Sequence, residues 1–152
     1  MCGIFGVMAG RNAPYDAAFL RRSLRTLARY SQSRGRDSSG LAFRDPAQGS
    51  LTVFKGALAI DALFKSDEVK RQLDATLSRW TSGAEQPFAV FGHSRLVTNG
   101  SQLTVENNQP AVTEGVVGIH NGIIVNDAAI WRAHPELTRH HGIDTEVFLA
   151  LV

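Results

Sequence analysis

The sequence predicts an α+β domain on three observations: short apolar runs of strand length, two longer stretches with apolar residues at helical spacing, and a turn cluster that folds two of the runs into a hairpin. Its 152 residues, 43% hydrophobic and 20% charged, suit one globular domain whose core needs no metal or disulfide to hold it. A single cysteine rules out an intrachain disulfide.

From Gly3 to Met8 the residues Ile4, Phe5, Val7 and Met8 form a buried-strand pattern ended by Gly10, which places Cys2 at a strand's mouth. Pro14 opens a helical stretch that fades by Tyr30, with Leu20, Leu24 and Leu27 predicted to face the core. The segment Ser31 to Gly40 is rich in Ser, Gly and Asp and reads as a loop. Gly40 to Arg44 and Leu51 to Lys55 read as a hairpin around Asp45, Pro46 and Gly49. A second helix is predicted from Ser66 to Trp80, with Val69, Leu73, Leu77 and Trp80 on one stripe. Phe88 to His93 fits a strand buried on both faces that delivers a polar loop, His93 to Pro110. Val116 to Val125 is predicted as a strand pair around His120, Asn121 and Gly122. Asp127 and Asp144 are placed to cap short helices, the second running into the apolar ending Val147 to Val152. That ending predicts either a chain cut from a longer one or a partner surface over it.

Charge and hydropathy remove several function classes. Sixteen basic residues against fourteen acidic give a net charge of +2, and Arg21, Arg25 and Arg29 repeat along one helical face with no interleaved aromatic residues, so no nucleic-acid partner is predicted. No apolar run approaches the ~18–20 residues of a membrane span, and no signal-peptide pattern opens the sequence. The reading is cytoplasmic, with no membrane partner. The five histidines lack metal-site spacing, so no metal and no cofactor is predicted.

Cys2 is the informative position. Removal of Met1 would leave a thiol and a free α-amine on one residue, with reference pKa values of about 8.5 and about 7.7–8.0, so that nucleophile and base coincide. The alternative is a small buried hydrophobe, the usual fate of a lone cysteine. His120-Asn121-Gly122 offers a side-chain amide and an unobstructed backbone N–H to an oxyanion, or else a plain hairpin turn. Arg95, at a strand end, suits a carboxylate or is a surface charge. Asp144 suits an ammonium or is a helix cap.

Taken in order, Met1-Cys2-Gly3-Ile4-Phe5-Gly6, Arg34-Gly35-Arg36-Asp37-Ser38-Ser39-Gly40, Gly92-His93-Ser94-Arg95, Asn107-Asn108-Gln109-Pro110, His120-Asn121-Gly122 and Asp144-Thr145-Glu146-Val147 resemble the class II glutamine amidotransferase (glutaminase) domain of the N-terminal nucleophile hydrolases. The resemblance covers essentially the whole chain, residues 1–152. It implies an αββα sandwich, incomplete at the C-terminus because this family's domains are longer and its second half usually adds strands to two stacked sheets. Exposed apolar faces and a homo-oligomer would follow from that truncation.

The same resemblance implies a function. Cys2 would attack the side-chain amide of L-glutamine, form a γ-glutamyl thioester, release ammonia and then glutamate, with Asn121 and Gly122 as oxyanion hole. Arg95, helped by Thr98, would hold the α-carboxylate and Asp144 the α-ammonium, while Arg34 to Gly40 would line the site. Ammonia would pass to an acceptor-binding synthase domain or subunit absent from this chain. Motif details are divided between subclasses, which leaves the acceptor open. A retained Met1 would acylate the Cys2 amine and remove the base. The rival reading is a non-catalytic module of the same fold that senses glutamine or docks on a partner.

Overall fold

The computed structural model describes residues 2–96, 103–113 and 115–152. Strand β1 (Gly3–Ala9) leads to helix α1 (Ala17–Gln32), strands β2 (Ser38–Arg44) and β3 (Leu51–Gly56), helices α2 (Ile60–Lys65) and α3 (Asp67–Thr81), and strand β4 (Phe88–Arg95). After a 3-10 turn at Val105–Asn107 come β5 (Ala111–Thr113), β6 (Val116–Gly118), α4 (Asp127–Ala133) and α5 (Glu146–Ala150). The fold is mixed α/β with antiparallel pairing, as the sequence predicts.

The larger sheet has the order β1-β4-β2-β3 and is antiparallel throughout, so β4 is central as its apolar run implies. Its register separates two faces with different tasks. Phe5, Leu41, Phe43, Phe88 and Val90 pack with Leu20, Leu24, Leu73, Leu77 and Trp80 of the helices into one apolar core. The opposite face carries the cross-strand rows Ile4–His93–Gly40–Lys55 and Ser38–Arg95, so the end of the sheet beside Cys2 is polar. At the far end of that face Met8 is exposed.

Local chemistry fixes the helix starts. Asp16 accepts from Phe19 N–H at 2.6 Å to begin α1, and Ser66 from Val69 N–H at 3.4 Å to begin α3. The hairpin turn is held by Asp45, whose carboxylate accepts from Ala47 N–H at 2.8 Å and from Arg79 at 2.6 Å, while Gly49 takes the left-handed conformation at φ 76°.

Several local expectations are corrected. Leu27 is exposed, and Ala28 and Ser31 line the core in its place because the inward stripe runs through positions 20, 24, 28 and 31. Ser31 belongs to α1 and its hydroxyl meets that of Ser94 at 2.8 Å, tying helix to sheet. Helix α2 lies where none was predicted, anchored by buried Ile60, Leu63 and Phe64. The second hairpin is β5–β6, displaced toward the N-terminus from the predicted 116–125, with Gly115 supplying the left-handed turn residue at φ 78°. Asp127 binds Ala128 N–H at 2.6 Å inside α4, and Asn126 takes the cap position without a side-chain bond. Among the described residues no helix is long and apolar enough to cross a membrane.

The 105–110 segment presses directly on the polar face. A Cβ on Gly40 would collide with the carbonyl of Gln109 and reach Pro110 Cδ at 2.6 Å, backbone and ring that have no free direction to yield. Gly40→Ala is expected to lower stability by about 1–3 kcal/mol in urea unfolding with an unchanged slope; a midpoint equal to the parent's would contradict this packing.

Candidate active site

Cys2 and Asn121 stand 119 residues apart and bond reciprocally: Cys2 N–H donates to Asn121 Oδ1 at 3.3 Å, and Asn121 Nδ2 donates to Cys2 C=O at 3.0 Å. Cys2 Sγ lies 3.7 Å from the Leu96 carbonyl. The pair sits at a cavity of about 410 Å3 whose walls include His93, Arg95, Gln109, Gly122 and Asp144. Of the residues singled out in the sequence, Cys2, Asn121, Gly122, Arg95 and Asp144 share this cavity. Arg34 lines a neighbouring groove of about 460 Å3 with Cys2, Tyr30 and Asn121. Thr98 lies outside the described residues.

Each wall has its own support. Arg95 is buried, and its Nη1 donates to Asn107 C=O at 2.9 Å and Asn108 Oδ1 at 3.3 Å, which fixes the guanidinium instead of leaving it a surface charge. Asp144 Oδ2 accepts from Ile124 N–H at 2.6 Å. The cap role weighed for Asp144 is thereby corrected: α5 begins at Glu146 with Thr145 in the cap position and no side-chain cap bond, and the Asp144 carboxylate braces the strand-free stretch after Gly122. That stretch also corrects the hairpin reading of Asn121-Gly122, since neither residue lies in a ladder. A Cβ on Gly122 would lie 2.6 Å from His120 Nε2, so a larger residue here would push the imidazole aside.

Four supporting residues carried no individual role in the sequence reading. Glu146 is buried and accepts from His140 N–H at 2.6 Å and His141 N–H at 2.7 Å, shaping the loop that leads to Asp144. Asn107 Oδ1 accepts from Gly142 N–H at 3.1 Å, joining the Arg95 wall to the Asp144 wall. Lys55 donates to Glu106 C=O and Pro110 C=O, each at 3.2 Å, and its burial lowers its pKa against the raising effect of Glu106. Gln109 binds both backbone groups of His120. The signal available for Asn107, Gln109 and Glu146 was the polar run 107–110 and the Asp144-Thr145-Glu146 triplet, whose contacts depend on tertiary structure.

His93 is fully buried and neither ring nitrogen bonds a described residue. Burial first, then the charges of Arg95 and His120, push its pKa down to about 4, so it is a neutral imidazole at physiological pH.

These walls define the class: an antiparallel α/β domain with a near-terminal thiol facing an amide-lined cavity that holds opposite charges. No protein-family model matches the chain. It is 32% identical over 157 residues to the glutamine–fructose-6-phosphate aminotransferase [isomerizing] of Bradyrhizobium diazoefficiens, covering 100% of this chain and 22% of the relative. With the protein of the same name from Escherichia coli the identity is 35% over 129 residues, covering 83% and 17%. The glutamine phosphoribosylpyrophosphate amidotransferase of B. subtilis, complexed with ADP and GMP, superposes with TM-score 0.60 at 25% identity over 99% of this chain and 29% of that one. The chain belongs to the class II glutamine amidotransferase domains of the N-terminal nucleophile hydrolase superfamily. It spans 22% and 17% of the length of the two curated relatives.

The low pKa of His93 has a sign-defined consequence. The unfolded chain takes up this proton near the ordinary 6.5 and the folded chain only near 4, so the stability from a neutral His93 is complete above 6.5 and is lost as pH falls toward 4. Between pH 7 and pH 4 urea unfolding is expected to show a loss of about 3 kcal/mol beyond that of His93→Gln. Equal losses in both proteins would contradict a buried neutral imidazole.

Proposed function

We propose that this chain is the glutaminase domain of a larger biosynthetic amidotransferase: it hydrolyses L-glutamine through Cys2 and supplies ammonia to an acceptor-binding synthase domain or subunit. The observation that carries the reading is the convergence on one cavity of the Cys2–Asn121 pair, the Arg95 cation and the Asp144 anion. A free α-amino acid presents one carboxylate and one ammonium, and this wall chemistry complements both. An internal glutamine in a peptide has neither.

In this reading Met1 is removed and the Cys2 α-amine becomes the base. Its N–H bond to Asn121 Oδ1 orients the nitrogen, whose lone pair takes the proton from Sγ. The thiolate adds to the γ-carbonyl carbon of glutamine, and the electron pair of the C=O bond moves to oxygen. A side-chain amide carries two N–H groups, one of which Asn121 spends on Cys2 C=O. The second, with the Gly122 backbone N–H, stabilises the oxyanion. Collapse breaks the C–N bond, the α-ammonium returns its proton to the leaving nitrogen, and ammonia departs. Water, deprotonated by the same amine, then cleaves the γ-glutamyl thioester to glutamate and regenerates the thiol. Arg95 holds the substrate α-carboxylate and Asp144 the α-ammonium, with Thr98 and Arg34 as further binding residues.

Glutamate release from L-glutamine is expected to vanish in Cys2→Ala, and unchanged release would overturn the assignment. Asn121→Ala is expected to raise the barrier by about 2.7–4 kcal/mol, read as a kcat loss of roughly 100- to 1,000-fold. A steady-state assay in which Asn121→Ala keeps its kcat and loses only affinity would remove Asn121 from the oxyanion hole.

A further inference from the structure

Gln109 brackets His120 with its side-chain amide. Its Oε1 accepts from His120 N–H at 2.6 Å and its Nε2 donates to His120 C=O at 3.0 Å and to Thr145 Oγ1 at 3.2 Å. The paired bonds to one residue's N–H and C=O reproduce what an antiparallel neighbour would supply, at a point where no neighbour exists because β6 ends at Gly118. A carboxamide suits the task, since it offers an acceptor and a donor from one planar group. His120 directly precedes Asn121 and Gly122, and its ring lies over Gly122. The ring is itself set by Thr145 Oγ1, 3.5 Å from Nδ1, and by Phe148 edge-on at 5.8 Å.

Two of the three Gln109 bonds end on His120 and one on Thr145 beside Asp144, whereas the charged walls have further partners of their own. Arg95 is fixed by Asn107 and Asn108, and Asp144 by Ile124 N–H, with its loop shaped by Glu146. Loss of the Gln109 bracket therefore disturbs the oxyanion donors more than the groups that face the amino-acid head.

We propose that Gln109 is a positioning residue that sets the Asn121–Gly122 oxyanion donors by clamping the His120 peptide groups. The inference rests on the glutaminase reading above for its kinetic consequence and not for its structural one. Donors aimed at an oxyanion act in the transition state, so their misplacement lowers kcat and leaves KM nearly unchanged.

Two variants of the full chain test this. Gln109→Met keeps the length and removes all three bonds; kcat for glutamate release is expected to fall about 10- to 100-fold with KM within about threefold of the parent. Gln109→Glu retains an acceptor but sets a carboxylate against the His120 carbonyl; protonation restores the donor. Its kcat relative to the parent at the same pH is expected to rise as pH is lowered through the glutamate range, while the same ratio for Gln109→Met stays flat. A KM rise at constant kcat, or parallel pH ratios for the two variants, overturns the proposal while leaving the glutaminase reading intact.

Amide hydrogen exchange supplies a readout that needs no turnover. In Gln109→Met the amides of residues 120–122 are expected to exchange faster than in the parent, with β1 and β4 unchanged. Unchanged exchange at 120–122 overturns the clamp. Should the parent release no glutamate, the glutaminase reading fails and the clamp stands or falls on this measurement.

Discussion

The reciprocal bond pair between Cys2 and Asn121 is the constraint around which the site is arranged. It joins the mouth of the first strand to a stretch without ladder partners more than a hundred residues later, and both residues line the same cavity. Two hydrogen bonds at the surface are each modest in net free energy, about 0.5–1.5 kcal/mol. Their importance lies in direction: they orient the main-chain nitrogen of Cys2 and one edge of the Asn121 amide together. The sheet contributes the rest by starting β1 beside the end of β4, where Gly3 pairs with Ser94 and Arg95 follows.

The 105–110 segment converts that pairing into a rigid cavity. It reaches Arg95 through Asn107 and Asn108, Gly142 through Asn107, His120 through Gln109, and Lys55 through the Glu106 and Pro110 carbonyls. A polar cluster of this kind holds one geometry because each buried group left unmatched would cost about 1–3 kcal/mol. His93 is the exception within it, a neutral buried imidazole with neither nitrogen bonded to the described residues. An uncharged ring there spares the cavity a second cation beside Arg95.

Much of the scaffold was legible in sequence because it obeys periodicities. The short apolar runs at 3–8, 40–44 and 51–55 gave β1, β2 and β3, with β2 starting two residues earlier at Ser38 inside the predicted loop, and the stripe through Val69, Leu73, Leu77 and Trp80 gave α3. Short elements escaped for want of a full period: α2 has six residues, and β5 and β6 three each. At the site, Cys2, Arg95, Asn121, Gly122 and Asp144 stood out by chemical type and position, and they share one cavity. The residues that hold them did not stand out. Gln109 clamps a residue 11 positions away and Asn107 one 35 away, through loop contacts that leave no repeat in the sequence. Asp144 looked like a cap because caps are local, whereas its partner Ile124 is 20 positions away. Arg34 was placed at the site by the family resemblance alone, and it lines the groove that shares Cys2 and Asn121 with the cavity.

The account is tested most directly by covalent trapping with a glutamine analogue that carries an electrophile at the γ-carbon, followed by peptide mapping. It predicts one adduct, on the sulfur of a Cys2 that has become the first residue, formed more slowly in the presence of excess L-glutamine. Absence of the adduct in folded chain lacking Met1, or labelling that L-glutamine does not slow, would contradict it.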